Sequence, residues 1–387
     1  MNPVYLDHNA TTRVDARVVA EMFPYFTEHF ANASSKHAGG TRAAQGVLKA
    51  RRQIQALIGA RSESEIVFTS GGTEADNLAI QGALDLDPNR QELVISAVEH
   101  PAVLALADHL HRTRGILVHR IGVDGQGRLD REAYSRVLGS RTALVSMMWA
   151  NNETGTIFPI AELAAEARVN GALFHTDAVQ AAGRIPLAVA DLGIDLLSLS
   201  AHKFHGPKGV GALYLRQGVK LKSLLKGGRQ ERGMRPGTEN VPGIVGAGAA
   251  AALCTGLEAA ARRQGGLRDR LETGLLQRIP DVLVVGDVDH RLANTLCLAF
   301  DLVEGDDVVT LLSRAEIQVS SGSACASGNM EPSHVLRAMR VPFGPSHGAV
   351  RFSLGHDTTA ADIERVLEVL PGVIAKLRDA SETRGVA

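Results

Sequence analysis

The sequence predicts an α/β protein, a mainly parallel sheet covered by helices, with a smaller α+β lobe after it. Three observations carry this expectation. From about residue 66, short β-branched runs alternate with amphipathic stretches, as in sheets buried on both faces by crossover helices. At 387 residues the chain is long for a single apolar core, so two lobes are expected. Beyond residue 240 the alternation gives way to an Ala-rich helical region, isolated strands and a final helix.

In order along the chain, "EIVFTS" reads as a strand and "GTEADNLAIQGAL" as the helix after it. "ELVISAV", "ILVHRIGV" and "TALVSMMWA" are the next strands, with helical "AVLALADHLHRTR", "DREAYSRVL" and "IAELAAEARVN" interleaved. "LFHTDAV", "DLLSLS" and "GVGALYL" bring the strand runs to seven. The second part holds "NTLCLAF", "DDVVTLLSRA" and "AVRFSL". In its last helix Ile363, Val366, Leu367 and Leu370 fall on one face. The expected division is a large domain over 15–258, with 1–14 and 259–387 forming the small one.

Composition narrows the function classes. Hydrophobic residues make up 45% and charged residues 21%, as in ordinary globular proteins. A formal net charge of −1 offers no footprint for nucleic acid or an anionic membrane. No apolar run is long enough to span a bilayer, and "MNPVYLDHNATT" lacks the marks of a secretion signal. Cys254, Cys297 and Cys325 lie far apart without a CxxC, which excludes a zinc ribbon or disulfide framework and fits a reducing cytoplasm. "GAGAAA" at 246–251 matches a dinucleotide fingerprint, but no strand precedes it and it lies in a helical stretch.

Several loops at strand ends carry chemistry. "FTSGGTEADN" sets Gly72 and Thr73 between a strand and a helix, where backbone N–H groups and a hydroxyl can cradle a phosphate. A glycine turn with Thr73 as helix cap fits equally well. "HTDAVQ" ends a strand with Asp177, a carboxylate that needs a partner when buried. A pyridinium N–H is one such partner, and Gln180 could then donate to a ring oxygen; a helix cap is the alternative. His100 in "SAVEHPAV" suits stacking on a flat ring or proton transfer, or a purely structural place. Asn151 and Asn152 in "WANNETG" suit substrate binding or a turn. Lys203 in "SLSAHKFHGPKG" reads alone as a loop lysine. With a phosphate cradle, a strand-end carboxylate and an imidazole, it reads as the imine-forming lysine of a pyridoxal phosphate site.

Seven stretches in order, "YLDHNATT", "FTSGGTEADNLAI", "WANNETGT", "HTDAVQ", "SAHKFHGPKGVG", "GGRQERGMRPGTEN" and "SSGSACASGNMEPSHVLRAM", resemble the cysteine desulfurases of the NifS/IscS class. The resemblance runs from about residue 4 to 370 and is closer to the NifS branch, which serves nitrogenase cluster assembly. It implies the fold-type I architecture of pyridoxal phosphate enzymes with a seven-stranded sheet, and conversion of L-cysteine to alanine and an enzyme persulfide. It implies Lys203 as Schiff-base lysine, Asp177 as partner of the ring nitrogen, Gln180 as donor to the ring oxygen and His100 as stacking residue. Gly72, Thr73, Ser200 and His202 fall at phosphate positions, and Thr238 at one reached from the neighbouring subunit of a homodimer. Asn152 and Arg351 match holders of the substrate carboxylate, and Cys325 matches the catalytic cysteine. The implied sulfur acceptor is an iron–sulfur scaffold protein, with which Cys325 transiently shares a cluster; no metal of its own is implied. Ala33 in "NASSKH" stands where the family has proline, so a more mobile loop is expected there.

The small residues of "SSGSACASG" suit a loop that swings a thiol, or a linker with an incidental cysteine. Cys254 and Cys297 read as buried packing residues. A small-substrate aminotransferase would share Lys203 and Asp177 without needing Cys325, and a binding module would retain the cofactor without turnover.

Overall fold

The structure, a computed structural model, describes residues 3–321 and 332–385. Its strands are β1 (Val4–Tyr5), β2 (Ile66–Thr69), β3 (Glu92–Ser96), β4 (Leu117–Ile121), β5 (Thr142–Ser146), β6 (Leu173–Asp177) and β7 (Leu196–Ser200). Then come β8 (Gly211–Leu215), β9 (Val282–Val285), β10 (Thr295–Phe300), β11 (Ile317–Gln318), β12 (Ser320–Ser321) and β13 (Ala349–Ser353).

Seven strands form one sheet in the order β2-β8-β7-β6-β5-β3-β4. All neighbours from β7 to β4 pair in parallel, whereas β8 runs antiparallel to both β2 and β7. The reversal of β8, read in sequence only as one more strand of the set, has a simple cause. The connection 201–210 from β7 holds only a single 3₁₀ turn, Ala201–Lys203, and a parallel return needs a crossover of a dozen or more residues. That short return keeps Lys203 at the edge where β2, β3, β5, β6 and β7 all end.

Alternation along the strands buries both faces. Leu93, Ile95, Leu144 and Leu213 enter the cluster under the helices Gly72–Leu84 and Pro101–Arg114. Val94, Val145, Leu197 and Tyr214 enter the larger cluster on the opposite side. In the second lobe β12-β13-β10-β9 form an antiparallel sheet. Leu296, Leu298, Phe300, Val350 and Phe352 join Ile363, Val366, Leu367 and Leu370 in a separate core that also takes Val4 and Leu6. A period of two therefore turns Arg351, between Val350 and Phe352, out of that core.

The glycines of "GAGAAA" lie inside the helix Val241–Leu253. A Cβ at Gly248 would collide with the Ala50 backbone of the helix Ala38–Ile58, and one at Gly246 would meet Met22 Sδ at 2.5 Å. They serve close helix packing. Among the described residues no single helix is long and apolar enough to cross a membrane; one bent pair, Val241–Leu253 and Leu257–Arg278, is by length and composition. Its apolar half is buried in the main core. Near Ala33, Asn32 Oδ1 accepts from the Ser34 N–H at 2.8 Å, which fixes the turn locally.

Candidate active site

A cavity of about 400 Å³ opens at the carboxyl ends of the central strands, facing β12 and β13 of the second lobe. Gly72, Thr73, His100, Asn152 and Asp177 line it, and so do Gln180, Ser200, His202, Lys203 and Arg351. Ten of the residues expected from sequence thus meet in one place. Thr238 is exposed and is not in the wall of this cavity. Cys325 lies outside the described residues, although Ser320 and Ser321, shortly before it in sequence, line the cavity.

The helix Gly72–Leu84 begins at the wall with Gly71 as its cap, and no side chain accepts from its first N–H groups. Thr73 is therefore the second helical residue, not the cap. A Cβ at Gly72 would stand 2.8 Å from Val179 Cγ2, so a larger residue there would press on Val179, which also lines the cavity. Donors at a helix N-terminus and an adjacent hydroxyl suit an anion. Ser200 is buried beside Gly71 and Gly72. His202 is pushed down to about 4 by burial, with Lys203 and Lys208 adding repulsion, so its ring is neutral at pH 7. Lys203 Nζ donates to the carbonyls of Asn9 at 2.6 Å and Ala10 at 2.8 Å.

Asp177 ends β6 and is buried. Its Oδ1 accepts from the Val179 N–H at 2.9 Å, so the cap and the place in the cavity coexist. Burial raises its pKa, opposed by His100, that N–H and Lys203. A cation or N–H donor in the cavity would stabilise the ionised form. His100 caps the helix Pro101–Arg114, its Nδ1 accepting from Ala102 N–H at 3.2 Å. A neutral ring accepting there carries its proton on Nε2. Burial holds its pKa down, Asp177 opposes this, and Lys203 adds to it. The two asparagines divide the alternatives between them. Asn151 Oδ1 accepts from the Glu153 and Thr154 N–H groups and makes the turn, while Asn152 faces the cavity.

Several residues at the site carried no role in the sequence reading. Asn9 is buried, and its carbonyl accepts from Gln180 Nε2 at 2.9 Å as well as from Lys203. Gln180 Oε1 accepts from the half-buried Arg184, so the amide is fixed from both ends. Asp7 receives Arg351. Asp76 is buried on the helix below the cavity, its Oδ1 3.7 Å from His175 Nε2. Burial and then the charge of Asp177 raise its pKa. Glu153 is pushed up to about 7 by burial. The available signal was position: Asp76 lies three and four residues before the buried Ala79 and Ile80, on the apolar stripe.

Glu99 gives a pH prediction. Its carboxyl is fully buried, Oε1 accepting from Ser96 Oγ at 2.6 Å and Met148 N–H at 2.9 Å, while Oε2 has no hydrogen-bond partner among the described residues. Burial pushes it up from 4.5 to about 8. Across that window the unfolded chain releases a proton that the folded chain keeps, so stability falls as pH rises. The slope approaches about 1.4 kcal/mol per pH unit. Glu99→Gln keeps both accepted bonds and should flatten the fall in melting temperature between these pH values. A profile parallel to wild type would remove the assignment.

The two cysteines seen here are not alike. Cys297 is buried in β10 as expected, but Cys254 is only half-buried. It follows the helix Val241–Leu253 as its cap, its thiol donating to the Ala250 carbonyl at 3.4 Å. Burial pushes both thiols up to about 12.

Comparison with known proteins agrees with this geometry. Residues 4–366 match the family model of aminotransferase class V. A cysteine desulfurase of Cereibacter sphaeroides is 60% identical over 98% of this chain and 97% of its own length. The cysteine desulfurase NifS of Azotobacter vinelandii is 50% identical over 98% of this chain and 95% of its own length. A solved NifS-like protein superposes with a TM-score of 0.91 at 37% identity, covering 97% of this chain and 100% of the other. Family membership implies a pyridoxal phosphate-dependent enzyme, and the open wall at Gly72, the unaccepted helix N–H groups and the buried Asp177 fit that cofactor. The chain belongs to the class-V aminotransferase family, within its group of cysteine desulfurases and NifS-like proteins.

Proposed function

We propose that the protein converts L-cysteine to L-alanine with pyridoxal 5′-phosphate, leaving the sulfur as a persulfide on Cys325 for iron–sulfur cluster assembly, including that of nitrogenase. The observation that carries this most is the meeting of Lys203, Asp177 and Arg351 in one cavity whose wall continues into Ser321. When bound, the cofactor supplies an electron-accepting pyridinium ring.

In this reading the N–H groups at Gly72 and Thr73, with Ser200 and His202, hold the phosphate. Asp177 would partner the ring nitrogen, Gln180 would donate to the ring oxygen and His100 would stack on the ring. Lys203 would carry the cofactor, and its amine, or His100, would move the Cα proton. Arg351 and Asn152 hold the substrate carboxylate. The Cys325 thiolate attacks the substrate sulfur and the Cβ–S bond breaks. Sulfur stays on the enzyme, and Cβ takes a proton to become the alanine methyl.

Support for a homodimer comes from Thr238, exposed and outside the cavity of its own chain, as suits a residue serving a neighbouring subunit. The second apolar cluster draws its buried residues only from Val4, Leu6 and the stretch from Leu271 to Ile374, which supports a domain division at 15–258 against 1–14 with 259–387. Val285, Cys297, Ala299, Val335, Leu336, Met339 and Ala349 pack against the large domain. The acceptor in this reading is an iron–sulfur scaffold protein, and the compartment is the cytoplasm, where thiols stay reduced.

Purified protein given L-cysteine and a reducing acceptor should yield alanine and sulfide in equal amounts, with activity per subunit falling on dilution. A keto acid in place of alanine would make it an aminotransferase. Full activity of a strictly monomeric preparation would overturn the shared site.

A further inference from the structure

Arg351 occupies a place where an unpaired cation is costly. It is 6% exposed, and its neighbours Val350 and Phe352 are core residues. A buried guanidinium left alone is strongly unfavourable. Here Nη2 donates to Asp7 Oδ1 at 2.7 Å and Nη1 to the Asn152 carbonyl at 3.0 Å, while Nε is buried and has no hydrogen-bond partner among the described residues. Asp7, Asn152 and Arg351 all line the cavity. Asp7 is fixed by its backbone, which bridges to Ser353 on β13 and accepts from Tyr5 Oη at 3.2 Å.

A site for a substrate carboxylate therefore already contains a carboxylate. Resting on the assignment of Arg351 to the substrate, we propose that Asp7 is a resident counter-ion that competes for Arg351 and so determines which anions the site accepts. A guanidinium has five N–H donors in a fixed fork. Two are engaged and Nε is buried, so an incoming carboxylate must take the remaining Nη hydrogens beside Asp7 or displace Asp7 itself. Two anions then share one cation, and entry is weakened by like charge. An α-amino acid has a second hold through its amine and overcomes this. A free inorganic anion has none and is excluded. Such exclusion matters in a cavity whose other end is shaped for a phosphate, because a bare arginine would draw phosphate to the wrong end.

Asp7→Asn keeps an acceptor for Arg351 but removes the charge. In the purified full-length protein this variant should lower KM for L-cysteine about tenfold, equivalent to about 1.4 kcal/mol, with kcat within about twofold. Calorimetric titration of the cofactor-loaded protein with sodium sulfate at fixed ionic strength should show saturable binding to Asp7→Asn and none to wild type. Adding Arg351→Gln should abolish it. Asp7→Ser serves as the second variant if Asp7→Asn folds poorly by thermal melt. A raised KM in both variants, or sulfate binding no tighter than in wild type, would make Asp7 an orienting residue only and overturn the proposal. Failure of the protein to make alanine would instead remove the desulfurase assignment and leave the sulfate titration as a reading of Asp7.

Discussion

Cys325→Ser should keep the cofactor and bind L-cysteine, yet release alanine and sulfide slower by on the order of 10⁴-fold or more. The early work of the site falls to residues that this substitution does not touch. Lys203, Asp177 and Arg351 are held by Asn9 and Ala10, by Val179, and by Asp7. The sequence neighbours of Cys325 are Ser, Ala and Gly, and serine is close to cysteine in size. A hydroxyl cannot replace a thiolate in attack on sulfur. The two other thiols cannot substitute, because burial holds both near 12 and they stay protonated at neutral pH. Cys254→Ser and Cys297→Ala should accordingly turn over L-cysteine at near wild-type rates, provided packing around Cys297 survives. Mass spectrometry after brief exposure to L-cysteine should find the added sulfur on the peptide 320–330. Near-normal desulfuration by Cys325→Ser, or a persulfide on Cys254 or Cys297, would sink the mechanism.

Legibility in the sequence followed the distance over which each residue acts. His100, Asp177 and Lys203 could be chosen because each stands at or shortly after the end of an apolar run, and strand ends are where open α/β sheets bind ligands. The reversal of β8 was also written locally, in a connection too short for a crossover. Asp7 and Asn9 were different. Their partners lie far along the chain, Arg351 at a separation of 344 and Gln180 at 171. Nothing within "YLDHNATT" says that its acid will meet an arginine in the second lobe. Asp76 and Glu99 belong to a third kind. Each is a carboxyl group whose chemistry depends on complete burial, and burial of a polar residue follows from packing of the whole sheet, not from its neighbours in sequence. Cys254 shows the same limit on a smaller scale, since a shift to the helix end turned an expected core thiol into a half-buried one.

Borohydride treatment of the wild type should fix the cofactor to the peptide containing Lys203, and Lys203→Ala should lose both that label and turnover, the latter by on the order of 10⁴-fold or more. The geometry explains why this lysine and not another. Of the lysines in the loop between β7 and β8, Lys203 is in the cavity wall, and Lys208 is exposed. Its ammonium is held by two carbonyls of the N-terminal segment, which point the amine into the cavity mouth beside Asp177 and His100. The same charge gives a readout independent of catalysis. Lys203 is one of the causes that hold the His100 pKa down, after burial. In cofactor-free protein, removing the ammonium should therefore let His100 titrate at higher pH. Asp177 should move the same way, because Lys203 favours its ionised form. An NMR titration of the histidine rings in Lys203→Ala, set against Lys208→Ala as control, measures the first shift directly. A label on Lys208, or a His100 titration that Lys203→Ala leaves in place, would show that the lysine at the centre of this site has been misassigned.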